Sequence, residues 1–289
     1  MVVELDGRLD ESRLVEAIGA VIEAEPVLAC RVQDRFFRPR WVPGADRDAA
    51  SLLRVIPSAD PPGAIRRLLL EALDPWRGPV VRFALVRGER DAVVVNLDHS
   101  AGDAASVRAL TYLLASLYGR PRPVPPADRA AYFAKRTFGS LRPLMPRTGG
   151  LMKLLRPPPP AEPSWRFPWR RGVTDYTKKI LVRRLSPPKA AAVRTYAATR
   201  NAWLNDVFLA AYFRALAHLV GIDAGVPRLT VPVDLRAYLS AAERPRIANF
   251  SASFEPELRD GLGGSLDETL ALVRAATERE KQGLSLIHI

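Results

Sequence analysis

Residues 121 to 168 contain twelve prolines, with Pro157, Pro158, Pro159 and Pro160 in a row. Proline fixes φ and removes a backbone donor, so such a stretch cannot form regular helix or sheet throughout. The 289-residue chain is therefore expected to fold as two periodic halves joined by a crossing connection. The pattern gives a first subdomain over 1–120 and a Pro-rich basic linker over 121–175. A second, incomplete subdomain follows over 176–283. Residues 284–289, Leu284-Ser285-Leu286-Ile287-His288-Ile289, match the translation of a transposase adapter used in library preparation and are set apart as an artefact.

An apolar fraction of 48% supports a sizeable core. No long uninterrupted apolar run appears, and Met1 to Asp6 has no basic region followed by an apolar one. A cytoplasmic location is the default expectation. One cysteine, Cys30, leaves no internal disulfide and reads as a small core residue in an apolar strand. With so few cysteines and histidines, neither a metal site nor a bound redox cofactor is implied. The net charge of +12 raises nucleic-acid binding. However, residues 120 to 175 hold twelve Lys or Arg against three Asp or Glu, so most of the excess lies in one irregular segment. No nucleic-acid motif accompanies it, and no nucleic-acid partner is expected. Within that segment, residues 132–156 mix basic and bulky apolar side chains. They read first as a packed connection, and second as a peripheral membrane or carrier-protein contact.

The first half alternates strand and helix. Strands are expected at Val2 to Asp6, Pro26 to Val32 and Leu52 to Ile56. Helices are expected at Asp10 to Ala24, with Asp10 as N-cap, and at Ala64 to Leu73. Val80 to Val86 and Ala92 to Leu97 form a hairpin about Gly88, and Asp103 to Tyr118 a helix that stops at Gly119. The second half gives strands at Thr177 to Leu185, Arg228 to Val233 and Ile247 to Phe254. Its helices are Pro187 to Thr199, Leu204 to Leu219 and Ser265 to Glu280, the last opened by a Ser265/Glu268 capping box.

The chemistry concentrates at His99-Ser100-Ala101-Gly102-Asp103, where the second hairpin strand meets the next helix. Strand ends and the loops after them are where scaffolds present reactive groups. A histidine there, with an Asp four residues on, is a candidate general base and its orienting partner. The bland alternatives are a satisfied strand-end histidine and an N-cap aspartate. Backbone N–H groups of Gly102 and Asp103 at the helix start, with Asn249, are candidate oxyanion donors. Asp234 and Arg236, two apart on an expected strand, share a face and are candidates to pair. His218, near a helix end, reads as a surface or dipole-complementing group.

The ordered segments Leu73-Asp74 … Gly78-Pro79-Val80-Val81-Arg82, His99-x-x-x-Asp103, Leu204-Asn205-Asp206-Val207 and Pro232-Val233-Asp234-Leu235-Arg236 resemble the condensation-domain superfamily. These are acyltransferases with a chloramphenicol-acetyltransferase-like fold. Asn249-Phe250-Ser251 and Pro26 to Arg31 resemble further segments of it. The resemblance implies an α/β (α+β sandwich) fold of two similar subdomains, the second incomplete, with more chain beyond both ends. It also implies a tunnel in which His99 deprotonates an acceptor. Asp103 is then mainly structural and pairs with an Arg, for which Arg31 is the candidate. The acyl donor would be an acyl-CoA or a phosphopantetheinyl carrier. Two positions depart from the family pattern: Asp98 replaces the first His of its pair, and Ala104 replaces the Gly after the Asp. Two functions stay open. One is His-assisted transfer of an acyl group from a CoA or carrier-protein thioester to a hydroxyl or amine. The other is a non-catalytic module that recruits an acyl or peptidyl carrier protein or a partner enzyme.

Overall fold

The structure is a computed structural model that describes residues 1–34, 39–44, 48–120, 179–220, 226–239 and 246–282. The described residues fall into two compact units, one from 1–120 with 234–250, the other from 179–233 with 251–282. Residues 234–250 therefore belong with the first unit, although they follow the Pro-rich segment. That segment, including 132–156, and the terminal residues 284–289 lie outside the described residues.

The first unit is built on a four-stranded sheet. Its strands are β1 (Val2–Glu4), β4 (Leu53–Pro57), β5 (Val81–Arg87) and β6 (Ala92–Leu97), in the order β1-β6-β5-β4. β4 and β5 run parallel, while β5 and β6 form the expected antiparallel hairpin, with Phe83 opposite Val95 and Leu85 opposite Val93. Successive strand residues point to opposite faces, so each central strand serves two cores. Phe83, Leu85, Val93 and Val95 pack with α1 (Glu11–Ala24) and α4 (Ala104–Gly119). Ala84, Val86, Ala92 and Val94 pack with Ala64 and Leu68 of α3 (Pro61–Leu70). Burial on both sides explains why β5 and β6 read as continuous apolar runs rather than alternating ones.

Local signals set the helix ends. Asp10 accepts from Arg13 N–H, and Leu14, Ala17, Ile18 and Val21 bury the 3–4-spaced face of α1. α3 begins three residues before the expected Ala64, because Asp60 caps Gly63 N–H and Pro61 occupies the first turn. Pro26 to Val32 is only half strand. Pro26 presets a helical φ, so Pro26–Ala29 is a 3-10 turn and β2 (Cys30–Gln33) starts after it. Cys30 is therefore half-buried at a strand start rather than a core residue. Three elements of this unit escaped the sequence reading: β3 (Arg40–Pro43), paired with β2, the single-turn α2 (Ala49–Leu52) before β4, and the 3-10 turn Leu235–Tyr238.

The second unit holds α5 (Pro187–Thr199), α6 (Leu204–Val220) and α7 (Leu266–Gln282) with a short β7–β8 pair (Val231–Asp234, Ser251–Phe254). Phe213, Ala210, Leu270, Val273 and Leu258 form its core. Half of the expected capping box forms, with Glu268 N–H donating to Ser265 Oγ; the Glu268 carboxylate accepts from Gly264 N–H, one residue before the cap. Arg200 binds Asp267 through both Nε and Nη2 and stacks on Tyr196, tying α5 to α7. Three expected strands are shorter or absent. Residues 179–185 are not strand, the 228–233 strand begins only at Val231, and the 247–254 strand only at Ser251. Thr177 itself lies outside the described residues.

Candidate functional site

Strand β6 ends at Leu97, and Asp98 turns the chain. Its N–H continues the ladder to Val80 O, its carbonyl accepts from Ala101 and Gly102 N–H, and its carboxylate accepts from Ser100 N–H and Oγ. The residue that departs from the family's His pair thus scaffolds the turn that carries His99. Asp103 then caps α4 through Ser106 N–H. Ala104 is the first residue of that helix, so the other departure from the family pattern lies in ordinary helical backbone and carries no strain.

Asp103 is 3% exposed and fully occupied. One carboxylate oxygen accepts from Ser106 N–H at 2.9 Å. The other accepts from Arg236 Nη1 at 2.7 Å and Phe250 N–H at 2.8 Å. Ser106 Oγ accepts from Arg236 Nη2 at 3.0 Å and Ala248 N–H at 3.1 Å, and lies 2.8 Å from Ala248 O. Arg236 Nη1 also reaches Asp234 at 3.1 Å, and its guanidinium lies 5.2 Å from the centre of the Phe250 ring. Arg236 rather than Arg31 is therefore the partner of Asp103. Arg31 instead lies in β2, opposite Val42. Asp234 and Arg236 do pair, but not as neighbours on a strand: Asp234 ends β7 and caps the 3-10 turn Leu235–Tyr238.

Burial raises the Asp103 carboxyl, but bonds from Arg236, Phe250 N–H and Ser106 N–H, with the Arg236 charge, outweigh it. The net result holds the group below the usual aspartate range. A depressed carboxyl contributes stability above its unfolded value and loses it as pH falls through the folded one. The first unit is thus expected to weaken as pH drops below the ordinary aspartate range. The urea midpoints of β5 and β6 read by amide exchange, taken from about pH 6 to about pH 3, should fall less steeply in Asp103→Asn.

With both oxygens so engaged, Asp103 does not orient His99. Asn249 does: its Nδ2 lies 3.2 Å from His99 Nδ1 and donates to His99 O at 3.0 Å. Both residues are exposed. Sequence reading had Asn249 only as an oxyanion donor, and a side-chain clasp across 150 positions leaves no local signal. Gly102 N–H, another such candidate, bonds Asp98 O at 3.3 Å. Gly102 is needed for its size. A Cβ there would lie 2.7 Å from both Leu97 Cδ2 and Ser106 Cβ. Gly102→Ala should therefore displace Ser106 from the Asp103–Arg236 network and cost about 1–3 kcal/mol, read by amide exchange of β5 and β6 in urea. Loss below about 0.5 kcal/mol would refute this account of the glycine. His218 is exposed near the end of α6, as expected. Among the described residues no cluster of three His, Cys, Asp or Glu could hold a metal.

No protein-family model matches the sequence, and no curated protein does. Solved structures do. The first condensation domain of the calcium-dependent antibiotic synthetase superposes with a TM-score of 0.68 at 20% identity, over 98% of this chain and 69% of its own. The chain has the condensation-domain fold. The epimerization domain from the third module of tyrocidine synthetase B shares it, with a TM-score of 0.65 at 14% identity, over 99% of this chain and 68% of that one. So does the X-domain from teicoplanin biosynthesis, with a TM-score of 0.62 at 18% identity, over 98% and 66%. The chain thus spans about two thirds of the length of these condensation-fold structures. Differently named domains share the fold, so function has to be argued from the His99 turn itself.

Proposed function

We propose that the chain is a condensation-type acyltransferase in which His99 assists acyl transfer at the reacting carbonyl. The donor is a thioester of CoA or of a phosphopantetheinyl carrier protein, and the acceptor an amine or hydroxyl. One observation carries the reading: an exposed imidazole stands on a turn fixed at both ends, by the β6 ladder and by the buried Asp103–Arg236 pair, and is held by Asn249. Effective catalysis needs such a group held in position before substrate arrives. The same fold in domains of antibiotic synthetases supports a carrier-borne substrate. The recruiting alternative rests on Asp98, Ala104 and the basic segment over 121–175, which lies outside the described residues. Asp98 and Ala104 are accommodated without strain, and Asp98 helps to build the turn, so catalysis is the favoured reading.

The test supplies the full chain with the octanoyl thioester of N-acetylcysteamine, a soluble stand-in for the pantetheine arm, and with primary amines or alcohols. Free thiol and acylated product are followed by mass spectrometry. Enzyme-dependent amide or ester supports transfer. Binding of the thioester or of a carrier protein with no product from any acceptor overturns it in favour of recruitment.

A further inference from the structure

Asn249 fixes more than the position of the ring. Its Nδ2 meets two groups on one residue, the His99 carbonyl at 3.0 Å and His99 Nδ1 at 3.2 Å. A carbonyl oxygen can only accept, so it selects the amide orientation with the NH2 group inward. The reverse orientation would set the amide oxygen against that carbonyl. An NH2 group has two hydrogens. Nδ2 lies within hydrogen-bond distance of both groups, so with one hydrogen on the carbonyl the other faces Nδ1, which then presents its lone pair. The tautomer of a neutral imidazole is set by the bond that the other nitrogen makes. The ring proton is therefore on Nε2. Asp103, which could have taken an Nδ1 proton, has both oxygens committed to Ser106, Arg236 and Phe250.

We infer that Asn249 is a positioning residue that holds neutral His99 in its Nε2–H form, making it a hydrogen-bond donor to the acyl carbonyl. This inference rests on the acyl-transfer reading. The family resemblance implies a base at His99; a neutral ring protonated on Nε2 has no lone pair there. A donor in that place stabilises the oxyanion of a tetrahedral intermediate instead. A neutral amine acceptor attacks without prior deprotonation. Its lone pair forms the C–N bond as the C=O π pair moves to oxygen, which Nε2–H then holds. On collapse that pair re-forms the C=O bond and the C–S bond breaks, its electrons leaving on sulfur. The ammonium proton passes to the thiolate, giving amide and free thiol with nothing else consumed.

The test reads the tautomer without any substrate. The full chain is labelled with 15N-histidine, its imidazole nitrogens are recorded at a pH where the ring is neutral, and His99→Gln identifies the His99 signals. Wild type should show a protonated Nε2 and a lone-pair Nδ1. Asn249→Leu should shift the tautomer ratio by about tenfold, the worth of one hydrogen bond. Asn249→Asp, an acceptor in the same place, should move the proton to Nδ1. A wild-type ring carrying its proton on Nδ1, or a ratio unmoved in folded Asn249→Leu, overturns the inference. Neither outcome touches the acyl-transfer reading, which stands or falls on product formation.

Discussion

Replacing Arg236 with methionine is expected to destabilise the first unit by about 3–5 kcal/mol. The side chain is only 8% exposed, and its partner Asp103 only 3%. Their mutual attraction is strong at 2.7 Å, but the cost of desolvating both is of similar size. The large effect comes from what a single substitution leaves behind. Asp103 would retain its buried charge with Phe250 and Ser106 N–H but no cation. Ala248 O and Ser106 Oγ would each lose a charged donor. Truncating both partners removes the orphan charge but also the acceptor of Ser106 and Phe250 N–H, so Asp103→Leu/Arg236→Met should recover only part of the loss. Because the chain holds two compact units, one melting curve would mix them. Amide exchange of β5 and β6 in urea reads the first unit alone. A loss below about 1 kcal/mol, or a double variant as unstable as the single, would refute this account of the pair.

That network also marks where sequence reading ran out. α1, α4 and the β5–β6 hairpin announce themselves through spacing, caps and a turn glycine, all signals within a few residues. Asp103 as an N-cap was legible for the same reason. Its ion-pair partner was not, since Arg236 lies 133 residues away and no periodicity carries a pairing over that distance. Arg31 was the candidate because the family resemblance implies an arginine partner and Pro26 to Arg31 resembles one of its segments; β2 places it opposite Val42 instead. Asp234 and Arg236 were read as a strand pair; they pair because an aspartate caps a 3-10 turn, which a two-residue spacing does not distinguish. The Pro26 segment failed differently. Its apolar residues suit a strand, but proline at the first position outweighs them and winds the backbone into a turn. For His99 the residue type and place were legible, while the group holding it was found only once residues 99 and 249 were seen together.

His99→Ala tests the other side of the site. The ring is exposed and outside the buried network, so its removal should leave stability within about 0.5 kcal/mol. Transfer should fall by about 10²–10³-fold, the usual effect of removing one donor to a developing oxyanion. Asp103→Asn should behave in the opposite way, losing stability through its weakened bond to Arg236 while folded molecules keep most of their turnover. Thiol release from the thioester, normalised to the folded fraction, separates the two. Glutamine then decides what His99 does. Its side-chain N–H can still donate to the carbonyl oxygen, but it cannot accept a proton as a base would. If His99 is a donor fixed by Asn249, His99→Gln recovers part of the activity that alanine loses. If His99 works by taking the acceptor's proton, glutamine is as inactive as alanine, and the Nε2–H assignment fails with it.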